Sequence, residues 1–146
     1  MESFKEDFAL LFEGGMLAMK QGDEEGARKI FDALGVLDSE HYAKELGQAL
    51  IALHKMQLKE AAERLSALHE REGDNWSIKA FLSLTHMLIV LDQGSTFEVR
   101  RESLENSFRL AEKILAECEI ATTKAFARSI MDWHEALAKK SAGPLR

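Results

Sequence analysis

Apolar residues recur along most of the chain at the three- and four-residue intervals of a helix face. Short polar or glycine-containing breaks at residues 21–23, 37–39, 55–57 and 73–75 separate these periodic segments. No segment alternates apolar and polar residues with the β-branched enrichment that a half-buried strand shows. The pattern therefore predicts an all-α protein.

Two helix starts are marked by a serine followed three residues later by a glutamate, which is the spacing of a capping box. These pairs are Ser3 with Glu6 and Ser95 with Glu98. Together with the breaks, they predict helices near residues 3–20, 23–35, 39–54, 58–71, 75–92, 96–117 and 119–139.

Because the links between consecutive helices are short, neighbouring helices should form antiparallel hairpins. We expect about three hairpins, over residues 3–35, 39–71 and 75–117. Residues 119–139 should be a C-terminal capping helix that covers the open hydrophobic end of the last hairpin. The prediction is a single helical-repeat domain over residues 1–139, followed by a flexible tail over 140–146.

The first two hairpins are similar to each other at a spacing of 34 residues. This shift superposes Gly15 on Ala49, Ala18 on Ala52, Ala27 on Ala61, Phe31 on Leu65 and Leu34 on Leu68. Small residues thus meet small ones, and large apolar residues meet large ones. Two helices approach closely only where side chains are small, so the pattern is typical of a repeated helix crossing.

The first hairpin resembles the tetratricopeptide repeat. The residues that match the spacings of that family are Leu11, Gly14, Gly15, Ala18, Ala27 and Phe31, and residues 22–27 match its turn between helices. The second hairpin departs from the pattern, since Glu45 and Gln48 occupy normally apolar positions. From Trp76 onward the helix pattern persists, but the link at residues 93–95 and the long segment to Cys118 break the 34-residue period. The resemblance implies a right-handed superhelix of hairpins.

The tetratricopeptide resemblance also implies a concave groove lined by the first helix of each hairpin. The residues that would line it are Phe12, Met16, Met19, Leu46, Leu50, Leu53, Leu84, Met87 and Leu88. An apolar groove containing methionine suits an amphipathic partner helix, because the unbranched methionine side chain adapts its shape. The alternative is that these residues only pack the core, with the last helix or a second copy of the chain filling the groove.

In its small size, acidic charge and about three such hairpins, this chain resembles the chaperones of bacterial type III secretion, especially the YscG-type needle chaperones. That resemblance implies a chaperone that sequesters an aggregation-prone helix of a needle subunit together with a small co-chaperone. A hetero-oligomer is expected, with a homodimer as the alternative. Two other functions remain open, namely a chaperone of hydrophobic type III translocators and a general adaptor or scaffold.

The charge and the termini favour a cytoplasmic protein. The formal net charge of −6 argues against a nucleic-acid partner, which clustered lysine and arginine would bind. The N-terminus has mixed charge where a secretory signal would be basic and then apolar. The longest apolar run, residues 80–91, is shorter than the about 20 residues that span a membrane, so no membrane insertion is expected.

No motif in the sequence indicates an enzyme, a metal or a cofactor. His134 and Glu135 begin the zinc-protease pattern, but Ala138 stands where its second histidine should be. Cys118 is the only cysteine, and it is expected to be a small buried hydrophobic residue. The sequence therefore predicts a binding protein without catalytic activity.

Overall fold

The computed structural model describes residues 21–26, 28–29 and 42–141. All regular structure in these ranges is helical and no strand occurs in them, which confirms the predicted all-α class. The complete helices are α1 (Ala43–His54), α2 (Leu58–Arg71), α3 (Trp76–Leu91), α4 (Phe97–Glu117) and α5 (Ala121–Ser141). Each begins and ends within four residues of its predicted position. The predicted helix over 3–20 and most of the helix over 23–35 lie outside the described residues.

The chain divides into two compact units, Met1–Glu72 and Gly73–Arg146. The boundary falls at the break that the sequence pattern shows around residues 73–75. Helix α5 extends to Ser141, two residues beyond its predicted end and into the predicted tail. Among the described residues, no helix combines the length and the apolar character needed to cross a membrane.

In the first unit, α1 and α2 pack against each other. The link between them is tight because Met56 adopts a left-handed conformation, with φ of 60°. The Met56 N–H donates to the carbonyl of Leu53, and the Gln57 N–H donates to the carbonyl of Ala52, each at 2.9 Å. These two bonds form a Schellman motif, which satisfies carbonyls that the end of α1 would otherwise leave unpaired.

The residues that the 34-residue shift places in the second hairpin form part of the core of this unit. Ala49, Ala52, Ala61, Leu65 and Leu68 are all buried, while their counterparts in the first hairpin lie outside the described residues. The small residues at 49, 52 and 61 are those that the sequence pattern predicts at a close helix crossing.

The two polar residues of α1 that depart from the repeat pattern both contact α2. Arg64 of α2 donates to Oε1 of Gln48 at 3.1 Å. Arg71, also in α2, lies 3.7 Å from Oε1 of Glu45. Each of the two unexpected polar residues in α1 therefore has a partner in α2. These partly exposed contacts stabilise the unit only weakly.

In the second unit, α3, α4 and α5 each contact the other two helices. One cluster of buried core residues comprises Ala80, Ala111, Ile114, Cys118, Ala127 and Ile130. At its edges pack Trp76, Leu84, Leu115, Phe126 and Met131. Cys118 is buried, as expected from the sequence. The residues following the second predicted hairpin therefore form a three-helix unit with a core of its own.

Hydrogen-bonding side chains cap α3 and α4 at their N-termini. Oδ1 of Asn75 accepts from the Ile78 N–H at 3.0 Å. Oγ1 of Thr96 accepts from the Val99 N–H at 3.3 Å. The predicted cap at Ser95 is wrong by one residue, because α4 begins at Phe97 and Thr96 therefore occupies the N-cap position.

Candidate functional site

The residues predicted to line a partner groove are mostly core residues where the structure describes them. Phe12, Met16 and Met19 lie outside the described residues. Leu46, Leu50, Leu53 and Met87 are buried, and Leu84 and Leu88 are partly buried. These four buried side chains contribute to the core and are not exposed to a partner in this structure, while the partner-contacting role of the set stays a prediction. The physical reason for this burial is that α1 and α3 carry apolar residues on most of their sides. Such helices are buried in the interior of a protein rather than turned to solvent on one face.

An apolar groove instead lies on the second unit, between α4 and α5, with a volume of about 880 Å³. Its apolar lining comprises Leu104 and Phe108 from α4 and Met131, Leu137 and Ala138 from α5. Leu104 is 37% exposed and Phe108 is 41% exposed. We call this feature the α4–α5 groove. The groove residues predicted from the sequence include none of these five.

The orientation of α4 explains why large apolar residues face solvent in the groove. The buried residues of α4 recur at positions 103, 107, 111 and 114, and the first two are serines. The larger residues Leu104 and Phe108 each follow one of these serines, about 100° further around the helix. At these four positions the helix buries serine and exposes leucine or phenylalanine, the reverse of the usual preference.

Buried hydroxyl groups hold α4 in this orientation. Oγ of Ser83 donates to the carbonyl of Ser107 at 2.8 Å and lies 3.3 Å from Oγ of Ser107. Oγ of Ser107 is also 3.0 Å from Nε2 of His134. With the Nε2–H tautomer, His134 donates to Oγ of Ser107, and Ser107 donates to Oγ of Ser83. Ser83 in turn donates to the carbonyl of Ser107. Since the three residues lie in α3, α4 and α5, the network connects all three helices.

His134 connects the buried network to the groove. Its side chain is only 8% exposed, and its ring lies edge-to-face with Phe108, with centroids 5.5 Å apart at 82°. Burial lowers the pKa of His134 below its ordinary value, which favours the neutral imidazole. The His134 ring therefore supports the Phe108 side chain that lines the groove.

A second histidine makes a similar contact one turn earlier in α4. Nδ1 of His86 lies 3.2 Å from Oγ of Ser103. Burial lowers the pKa of His86, and the negative charge of Glu102 opposes that effect only in part. Both buried serines of α4 thus pair with a histidine whose neutral form is favoured.

The contact between Ser107 and His134 has the distance of a nucleophile and its general base, but Ser107 is 0% exposed. A substrate could not reach its Oγ, so we interpret this contact as structural. Within the described part of the chain, no three His, Cys, Asp or Glu side chains form a group that could bind a metal ion. The α4–α5 groove, in contrast, is open to solvent.

Comparison with protein-family models, curated proteins and solved structures finds no significant match to this chain.

Proposed function

We propose that this chain is a protein-binding module whose α4–α5 groove binds an amphipathic helix of a partner protein. The observation that carries the proposal is the exposure of Leu104 and Phe108 beside the buried Ser103 and Ser107. Large apolar side chains gathered in an open groove favour contact with a protein partner. Aromatic residues such as Phe108 are common among the anchors of protein interfaces.

The dimensions of the groove suit a helix of about three turns. Its lining on α4 runs from Arg101 to Glu112, and at a rise of 1.5 Å per residue this distance is about 16 Å. A partner helix of about 12 residues would cover it. Met131 on the opposite wall is flexible and can adapt to side chains of different shape.

The resemblance of the chain to type III secretion chaperones suggests the kind of partner. We propose a cytoplasmic chaperone that shields an apolar helix of a needle subunit in a hetero-oligomer with a small co-chaperone. In this proposal the partner helix binds the α4–α5 groove, because Leu104 and Phe108 are exposed there. The buried residues of α1 and α3 would support the fold.

The test is coexpression of the chain with the needle-subunit and co-chaperone candidates of its source genome, followed by measurement of complex mass by light scattering. Phe108→Glu should abolish the complex, because it places a charge in the apolar groove. Leu104→Glu should do the same. Trp133→Glu is the matched control, since Trp133 lies in α5, is 45% exposed and does not line the groove.

Circular dichroism should show that all three variants keep the helicity of the wild-type chain. A complex that survives both Phe108→Glu and Leu104→Glu would show that the groove does not bind the partner. An adaptor that binds its partners through charged faces would keep its complex in both variants. A wild-type chain that stays alone with every candidate would exclude the needle-chaperone version.

A further inference from the structure

Four charged side chains follow the outer edge of the α4–α5 groove along α4. They are Arg101, Glu105, Arg109 and Glu112, and all four are exposed. Their spacing of four, four and three residues keeps them on one side of the helix. Their charges alternate in sign along the helix axis. We call this set the rim.

The rim residues are spaced for ion pairs within the helix, yet they do not form them. None of the four pairs with another residue in the described part of the chain. Glu24 with Arg28, and Glu60 with Arg64, do pair at the same four-residue spacing. The charges of the rim are therefore available to a partner that lies in the groove beside them.

The opposite edge of the groove differs from the rim. Among the α5 side chains that the structure describes, Glu135 is the one charged residue of the lining. A helix in the groove would therefore meet alternating charges along α4 and the negative charge of Glu135 along α5. This asymmetry distinguishes the two flanks of a bound helix.

We propose that the rim selects a partner helix whose flank carries acidic residues opposite Arg101 and Arg109 and basic residues opposite Glu105 and Glu112. This inference rests on the proposed function of the groove and adds the charge pattern of the helix that it binds. Charged residues that flank an apolar seam choose partners in this way in coiled coils. Basic residues on the other flank of the partner would face Glu135.

The alternation also determines how the partner helix is aligned. If the helix shifts by one turn, three of its four flank charges face rim residues of the same sign, and the fourth passes the end of the rim. The three remaining rim contacts then change from attraction to repulsion. Exposed pairs are individually weak, each changing affinity by up to about fivefold. Four pairs acting together should distinguish matched from mismatched patterns by about tenfold.

The experiment uses two labelled synthetic peptides of about 18 residues, long enough to cover the groove as a helix. Both have the same leucine seam and the same composition. In the first peptide, Glu and Lys alternate along the flank at the spacing of the rim. In the second, the two Glu precede the two Lys. Binding to the full chain is measured by fluorescence anisotropy.

The matched control is a variant of the chain with Arg101→Gln, Glu105→Gln, Arg109→Gln and Glu112→Gln. It loses two positive and two negative charges, so its formal net charge remains −6. The wild-type chain should bind the alternating peptide about tenfold more tightly, and rising salt should reduce this difference. The variant should bind both peptides equally.

Equal binding of the two peptides by the wild-type chain would overturn the inference about the rim and leave the groove as a helix-binding site. A preference that persists in the variant would overturn it as well, because the rim would not be its cause. If neither peptide binds the wild-type chain, the proposed function of the groove fails, and the inference fails with it.

Discussion

Replacing Ser107 by leucine should strongly destabilise the second unit, although leucine is more apolar and forms helices more readily than serine. Ser107 is 0% exposed, and its Oγ lies 3.0 Å from Nε2 of His134 and 3.3 Å from Oγ of Ser83. Losing the hydroxyl leaves buried polar atoms unpaired, which costs about 1–3 kcal/mol. The added carbon atoms overpack a filled site, which costs about 1–3 kcal/mol more. Ser107→Leu should therefore lower the free energy of unfolding by about 2–6 kcal/mol.

The control is Phe108→Ser at the next position. A fully buried phenylalanine contributes about 1.5–3 kcal/mol through burial. Since Phe108 is 41% exposed, its loss should cost only about 1–2 kcal/mol. Ser107→Leu is thus expected to lower the free energy of unfolding more than Phe108→Ser does.

Urea unfolding followed by tryptophan fluorescence measures this difference in the correct part of the molecule. The chain has two tryptophans, Trp76 and Trp133, and both lie in the second unit. The comparison is made between variants whose unfolding slopes agree with the wild type. If Phe108→Ser costs more than Ser107→Leu, then α4 presents the opposite face to its neighbours and the reasoning about the groove is refuted.

Three further changes test other parts of the structure. Burial lowers the pKa of His86 and His134, so the unfolded state binds more protons in acid than the folded state does. The stability of the second unit should therefore fall as the pH drops below about 6.5, the ordinary pKa of histidine. His134→Gln should reduce this pH dependence of the fluorescence-detected unfolding, and an unchanged profile would contradict the assignment. Met56→Gly should raise the free energy of unfolding measured by circular dichroism by about 0.5–1 kcal/mol, because glycine adopts positive φ without strain; a lower value would argue against the turn. Thr96→Ala should cost about 1 kcal/mol by the same measurement and Ser95→Ala much less, and the reverse order would place the cap at Ser95.

The positions of the helices could be predicted because they depend on local signals. Apolar periodicity identified α2 to the residue, and the break around residues 73–75 coincides with the division between the two units. Short-range capping is less certain, since Ser95 and Thr96 can both cap a helix. The choice depends on where the first helical turn begins, and α4 begins at Phe97, which puts Thr96 at the cap.

The groove could not be predicted because it depends on how α4 is rotated about its axis. Leucine and phenylalanine are usually buried and serine is usually exposed. Residue type alone therefore predicts that Leu104 and Phe108 are buried and that Ser103 and Ser107 are exposed. The structure has the reverse because the serines pair with His86, Ser83 and His134, which lie 17 to 27 residues away in sequence. Periodicity within one helix carries no information about such pairings between helices.

The hydrogen bonds that connect Ser83, Ser107 and His134 have a consequence for how this protein can change over time. They set the orientation of α4 from inside the second unit, independently of the side chains that α4 shows to solvent. Substitutions at Leu104 or Phe108 would alter the shape and chemistry of the groove without removing the bonds that orient the helix. The lining can therefore acquire new partner specificity while the three-helix framework beneath it is inherited unchanged.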